Sequence, residues 1–336
     1  MANEKTAKKS FMDNAFGKFI MNNKALLILI LLGAVVACIS DVFFTASNLL
    51  NVVRQVTYSV TLACGFTLVL SSGNMDLSIG CMVGLVGVVL GKLLVSGVPV
   101  ILACLIAIVV GMAFGSINAL VINSFDLPPF IVTLATMSSF KGATYISTKM
   151  VPISNLPKGF VVIGQGYTFG IPNQIYIMVF MIALMAFILN KTKFGRYALA
   201  MGGNREATRL AGINTKLIRL GVYAVMGAYV AVASIMLTAR SASAQVSAGQ
   251  NTEMDAIAAV VVGGTPMSGG SANVVGTMFG CLIVGVINNG LNLMGVDANW
   301  QLVAKGLMIL FAIVLDVVSS NIANNMSKKR MAAAQN

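Results

Sequence analysis

The chain has 336 residues, 57% of them apolar and only 10% charged, with a formal net charge of +12 and no histidine. Soluble domains sit nearer about 45–50% apolar, so an ordinary globular enzyme is excluded; without histidine the commonest general base and metal ligand is missing too. The five cysteines (Cys38, Cys64, Cys81, Cys104, Cys281) lie in apolar runs and form no C-x-x-C pair, so neither a zinc site nor a disulfide framework is indicated.

Apolar runs recur along the whole length. A bilayer crossing takes roughly 20 apolar residues, and the reading is an all-α polytopic membrane protein of about ten segments, with eight as the lower bound. The expected spans are Leu26–Phe43, Val52–Ser71, Ile79–Val95, Val98–Ile122, Pro129–Ser147, Ile171–Leu189, Leu217–Leu237, Met254–Gly264, Asn273–Met294 and Trp300–Val318. The first follows a basic stretch, as in a secretory signal with Cys38 as a lipid-modified cysteine, but the many later spans make an uncleaved helix the simpler reading. Basic residues gather beside apolar runs at Lys5–Lys24, at 191–219 and at Lys328–Arg330. Such blocks mark cytoplasmic loops rather than a nucleic-acid partner. The organisation expected is a cytoplasmic segment 1–24, a membrane domain 25–320 with a cytoplasmic loop at 191–216, and a cytoplasmic tail 321–336. The loop Met150–Gly170 falls outside.

Two segments are expected to be short or broken. Met254–Gly264 has about a dozen residues, too few to cross. Val52–Ser71 begins with Arg54, Gln55, Thr57, Tyr58 and Ser59. Each run ends in a glycine- and serine-rich bend, "GNMDLSIG" at Gly73–Gly80 and "GGTPMSGG" at Gly263–Gly270; an offset of 190 aligns Gly73 with Gly263, Ser78 with Ser268 and Gly80 with Gly270. The pair reads as a degenerate internal repeat, and paired interrupted segments point to a transport site. Gly80, Gly84, Gly87 and Gly91 line one helix, and Gly111/Gly115 and Gly276/Gly280 form small-xxx-small pairs suited to close packing within a subunit or between two.

Polar groups at membrane depth are costly and usually face a cavity or a partner. The candidates for a substrate pathway are Asn74, Asp76 and Ser78 in the first bend, Thr133 and Thr136 after Pro128-Pro129, and Asn288, Asn289 and Asn292. Amides and hydroxyls suit a neutral polyol. Plainer readings stand beside these: Asp76 caps the following helix, and the two threonines bond their own backbone. No catalytic constellation occurs. Gly91-Lys92 fails the phosphate-loop pattern because Val86 and Leu93 stand at required positions, so any ATP-driven work needs a partner.

Within the middle basic block, "GGNREATRLAGI" spells a short capped helix over Arg205–Ala211. Asn204 caps it, Glu206 and Arg209 complement the helix dipole, and Gly212 stops it. Ala207, Leu210 and Ala211 give it a small apolar face. An exposed two-turn helix is marginal alone, so it needs a dock; the plainer alternative is a loop lying on lipid headgroups.

"EATRLAG" resembles the EAA-x-x-x-G element of ABC importer permeases, with Thr208 in place of the second alanine and no downstream proline. "KTKFGRYALAMGGNREATRLAGIN", "GNMDLSIG", "LPPFIVTLATM", "EMDAIAAVVVGGTPMSGG" and "INNGLNLMGV" are similar, in order, to the ribose/galactose-type permeases of that family. The resemblance implies a sugar-importer permease subunit in the bacterial inner membrane, with both termini cytoplasmic. Asn204, Arg205, Glu206, Ala207, Arg209, Leu210 and Gly212 would couple it to a separate ATPase that holds ATP and Mg; the chain itself would bind no cofactor or metal. A second permease copy and an extracytoplasmic sugar-binding protein, touching the Arg240–Gln250 stretch, would complete the assembly. Nucleosides and branched-chain amino acids are substrates of similar permeases. A self-sufficient secondary carrier, with Asp76 as its mid-membrane carboxylate, is the rival from another class.

Overall fold

The computed structural model describes residues 24–297, 299–304, 306–307, 310 and 314. The N-terminal segment, the C-terminal tail and most of the expected span Trp300–Val318 lie outside the described residues. Within them the chain is almost wholly helical: α1 (Lys24–Ile39), α2 (Ala46–Ser71), α3 (Ile79–Val95), α4 (Val100–Phe125), α5 (Pro129–Thr148), α6 (Lys158–Gln165), α7 (Asn173–Lys191), α8 (Lys193–Gly203), α9 (Arg205–Leu210), α10 (Thr215–Ser241), α11 (Thr252–Val262) and α12 (Val274–Leu293). Among the described residues five helices, α2, α4, α7, α10 and α12, are long and apolar enough to cross a membrane. α1 and α3 are apolar but shorter.

Local chemistry sets the helix starts. Pro99, Pro128, Pro157 and Pro172 precede α4, α5, α6 and α7, where a fixed φ and a missing N–H cost nothing. Asn214 and Asn273 cap α10 and α12 by accepting from the backbone N–H groups of Leu217 and Gly276 at 3.0 and 2.9 Å.

α10 is the central post, packing along α4, α2, α3 and α6. Its crossing with α4 is built on missing side chains. A Cβ at Gly111 would meet the Gly227 carbonyl, one at Gly115 the Tyr223 carbonyl, and one at Gly227 the Gly111 carbonyl. Both small-xxx-small pairs therefore serve packing inside the chain; Gly276 and Gly280 admit the backbone of α11 at Gly263 and Ala259.

Three features differ from the sequence reading. α2 is not short: it runs 26 residues, from Ala46, because the polar residues in its middle turns find partners. Thr57 Oγ donates to Gln174 Oε1 at 2.9 Å, and Arg54 donates to the Tyr167 hydroxyl at 3.0 Å. The loop after α5 contains α6 and a two-residue-per-strand hairpin, β1 (Tyr167–Thr168) with β2 (Ile171–Pro172), closed through Thr168↔Ile171. The 191–216 loop carries an additional helix, α8, capped by Thr192.

Candidate functional site: a polar cavity, two bends and a protruding helix

The second short segment has the expected length: α11 is 11 residues. It is reached by an extended stretch. Ala244 exchanges two backbone hydrogen bonds with Ile153, 2.9 and 3.1 Å, and the chain then runs along the glycine stripe of α3. A Cβ at Gly91 would press on Ala244, one at Gly84 on the Ala248 carbonyl, and one at Gly80 on the Gly249 carbonyl and the Glu253 carboxyl. Gly80, Gly84 and Gly91 thus form a groove for Ala244–Gly249, while Gly87 faces Ser234 and Thr238 of α10, and the Arg240–Gln250 stretch is largely a ledge against α3.

Between α2, α10, α11 and α12 lies a cavity of about 470 Å³. Gln55, Tyr58, Arg240, Asp255, Asn288 and Asn292 bring its polar groups, with Gln301 beside Asn292 at 2.8 Å. A second cavity, walled by Gln245, Ser247 and Gly249 of the ledge, adjoins it through Tyr58, Ser241 and Thr252. Among the described residues no group donates to the buried Oδ1 of Asn288. The arrangement offers amides, hydroxyls, a guanidinium and a carboxylate around a space sized for a small polar solute.

The remaining pathway candidates lie elsewhere. Asn289 is paired with Asn48. Thr133 and Thr136 donate to the Pro129 and Thr133 carbonyls of their own helix at 2.9 and 3.2 Å. Asn74 donates to Ser72. Asp76, fully buried, accepts from the Ser78 N–H at 2.9 Å and its hydroxyl at 2.6 Å, and Asn118 donates to that same hydroxyl at 2.9 Å. Tyr223 of α10 donates to the Met75 carbonyl at 2.7 Å. This cluster holds the first bend in shape. Sequence reasoning missed Gln55, Tyr58, Arg240 and Gln301 as cavity residues. Gln55 and Tyr58 carried a signal, being polar at the head of an apolar run.

The protruding helix α9 is built as its sequence suggests. Asn204 Oδ1 accepts from the Ala207 N–H at 2.9 Å. Arg209 reaches Glu206 through Nε and Nη2 at 3.0 and 2.9 Å, and Arg205 meets Asp126 at 3.4 Å, beyond the end of α4. Thr208 is buried and faces the bundle, whereas Ala207 and Ala211 are exposed and Leu210 is 80% exposed. Gly212 takes φ +82° and turns the chain into α10.

An apolar helical bundle with paired backbone breaks, an internal polar cavity and a charged helix held outside the bundle defines a membrane permease. The chain belongs to the family described as branched-chain amino acid transport system / permease component, whose profile matches residues 48–313. It is 39% identical over 304 residues to the ribose import permease protein of Haemophilus influenzae, covering 89% of this chain and 94% of that one. The Bacillus subtilis ribose import permease protein is 42% identical over 290 residues, 86% and 90% of the two chains. The Escherichia coli galactose/methyl galactoside import permease protein is 34% identical over 328 residues, 92% and 96%. No solved structure matches the chain.

Proposed function

We propose that this chain is the membrane-spanning subunit of an ABC importer that admits a monosaccharide, ribose being the first to test. The relatives' names and the many hydrogen-bonding groups of the cavity support that substrate class. The single observation that carries the mechanism is Leu210, 80% exposed on a capped and tethered helix outside the bundle. We read this apolar side chain, on a helix capped by Asn204 and tied to Asp126 through Arg205, as the knob that a partner receives. A separate ATPase, holding ATP and magnesium, receives α9. A second copy of the chain completes the pore, and an extracytoplasmic binding protein delivers sugar at the end bearing α6 and the β1–β2 hairpin.

In this reading α9 lies in the cytoplasm of a bacterial inner-membrane protein with both termini inside. About ten segments then weave the chain, α3 leaving the first bend and α11 leading into the second without full crossings of their own. Sugar passes the ledge into the cavity, where Asn288, Asn292, Gln55 and Arg240 replace its water. ATP-driven movement of α9 opens the opposite end. Catalysis is left to the partner. Glu206→Lys combined with Leu210→Asp tests the reading. Co-purification of the ATPase and ribose uptake should both be lost while the permease remains in the membrane; retention of both would refute it.

A further inference from the structure

The two bends of the internal repeat and the segment leading into α9 meet at one place through backbone alone. The Gly270 N–H donates to the Ser71 carbonyl at 2.8 Å, joining the second bend to the end of α2. A Cβ at Gly269 would lie 2.9 Å from the Gly73 nitrogen, so the bends are in direct contact. Gly202, in the last turn of α8, sits against both. A Cβ there would fall on the Ser71 carbonyl oxygen and 2.7 Å from the Gly270 nitrogen, the two atoms of the hydrogen bond that joins the bends. Its neighbour Gly203 differs. A Cβ on Gly203 meets nothing nearer than the Gly270 Cα at 3.9 Å.

We propose that Gly202 is the transmission residue of the permease: displacement of α8 and α9 reaches both broken segments at once because Gly202 lets three backbones touch. The inference rests on α9 receiving the ATPase. Short, directional backbone contacts without intervening side chains carry displacement with little slack, since packed contacts are stiff. Asn204 follows Gly202 by two residues and caps α9, so the lever and the contact point share one short stretch of chain. α2 continues from Ser71 towards Tyr58 and Gln55, and α11 leads from the second bend to Asp255, so both routes end at cavity residues. Gly202 touches no cavity group; its role is positional.

The test uses the full complex of permease, ATPase and binding protein in membrane vesicles, with labelled ribose as probe. Gly202→Ala should cut ATP-driven uptake by about tenfold or more, because an added methyl group has no space between the two backbone atoms. Permease level and ATPase co-purification should stay within about twofold of wild type, and Gly203→Ala should transport within about twofold of wild type. Equal uptake in the two variants would overturn the proposal. ATP hydrolysis by the assembled complex separates transmission from assembly: in Gly202→Ala it should stay within about twofold of wild type while uptake falls. Hydrolysis that falls together with uptake, or a permease level below about half of wild type, would show that Gly202 serves assembly and would refute the proposal. Failure of wild-type ATPase co-purification or ATP dependence would refute the docking reading instead.

Discussion

Asn48 and Asn289 face each other across the α2–α12 contact and exchange both amide hydrogen bonds, at 3.0 and 2.9 Å. Asn48 Nδ2 also donates to the Phe43 carbonyl at 2.9 Å, so the clasp fixes the turn between α1 and α2. Both side chains are buried. Replacing one by leucine strands the other, at a cost of about 1–2 kcal/mol, whereas replacing both should cost less than the sum. Thermal unfolding of the two single variants and the double variant in detergent should return that coupling; additive losses would contradict it.

The cavity makes a second prediction, with its control built in. Asn288→Leu fills the space and removes an amide whose oxygen has no partner among the described residues. Ribose uptake should drop by about tenfold or more, as expected where a polar contact to the solute is lost. Thr133→Val, on a hydroxyl that serves only its own helix, should transport within about twofold of wild type. Uptake by both at saturating binding protein decides the matter.

At the α4–α10 crossing, Gly115→Val places two methyl groups on the Tyr223 carbonyl. The helices must separate, and folded permease recovered from membranes should fall by about tenfold, the scale of 1–3 kcal/mol of overpacking. Among the described residues nothing from outside its own turn of α5 lies within 4 Å of where a Cβ on Gly142 would stand; Gly142→Ala should leave the yield at the wild-type level. Size-exclusion profiles of the two variants provide the measurement.

Asn204→Ala should weaken α9 by about 1 kcal/mol, the worth of an N-cap, and lower ATPase affinity by about fivefold; Asn204→Asp keeps the acceptor and should restore it. The readout is the concentration of ATPase that half-saturates permease-containing vesicles. If alanine and aspartate behave alike, the cap is irrelevant to docking.

Asp76 offers a choice between a bend-holder and a proton carrier. Its Oδ1 accepts both Ser78 bonds, and asparagine supplies an oxygen in the same position. Asp76→Asn should therefore transport within about threefold of wild type, while Asp76→Ala, which releases the bend, should lose most uptake. Loss in the asparagine variant with unchanged membrane level would point to titration of Asp76.

Much of this architecture was legible because membrane helices write long apolar runs and basic flanks. α9 was legible to within one residue, since Asn204, Glu206, Arg209 and Gly212 are each a local signal that needs no tertiary context. The length of α2 was not. Arg54, Gln55, Thr57 and Tyr58 look like a helix boundary until Gln174, Tyr167 and the cavity are seen to receive them. For the same reason the cavity was only partly found: Asn288 and Asn292 stood out as amides in an apolar run, but Arg240 reads as an ordinary helix-end cation. Asn289, one residue from Asn288, turns away from the cavity to Asn48 near the start of α2, a difference fixed by the 3.6-residue period and not by residue type.

The ledge is held by what α3 lacks. Ala244–Gly249 lies where Gly80, Gly84 and Gly91 carry no Cβ, while Gln245 and Ser247 are exposed beside the second cavity. A side chain added at those glycines would evict the stretch, but Gln245 and Ser247 can be exchanged without moving it. In the proposed importer, diversification towards new solutes is therefore open at these two positions as well as on α2 and α12, with the path of the stretch as an inherited frame around which taste is revised.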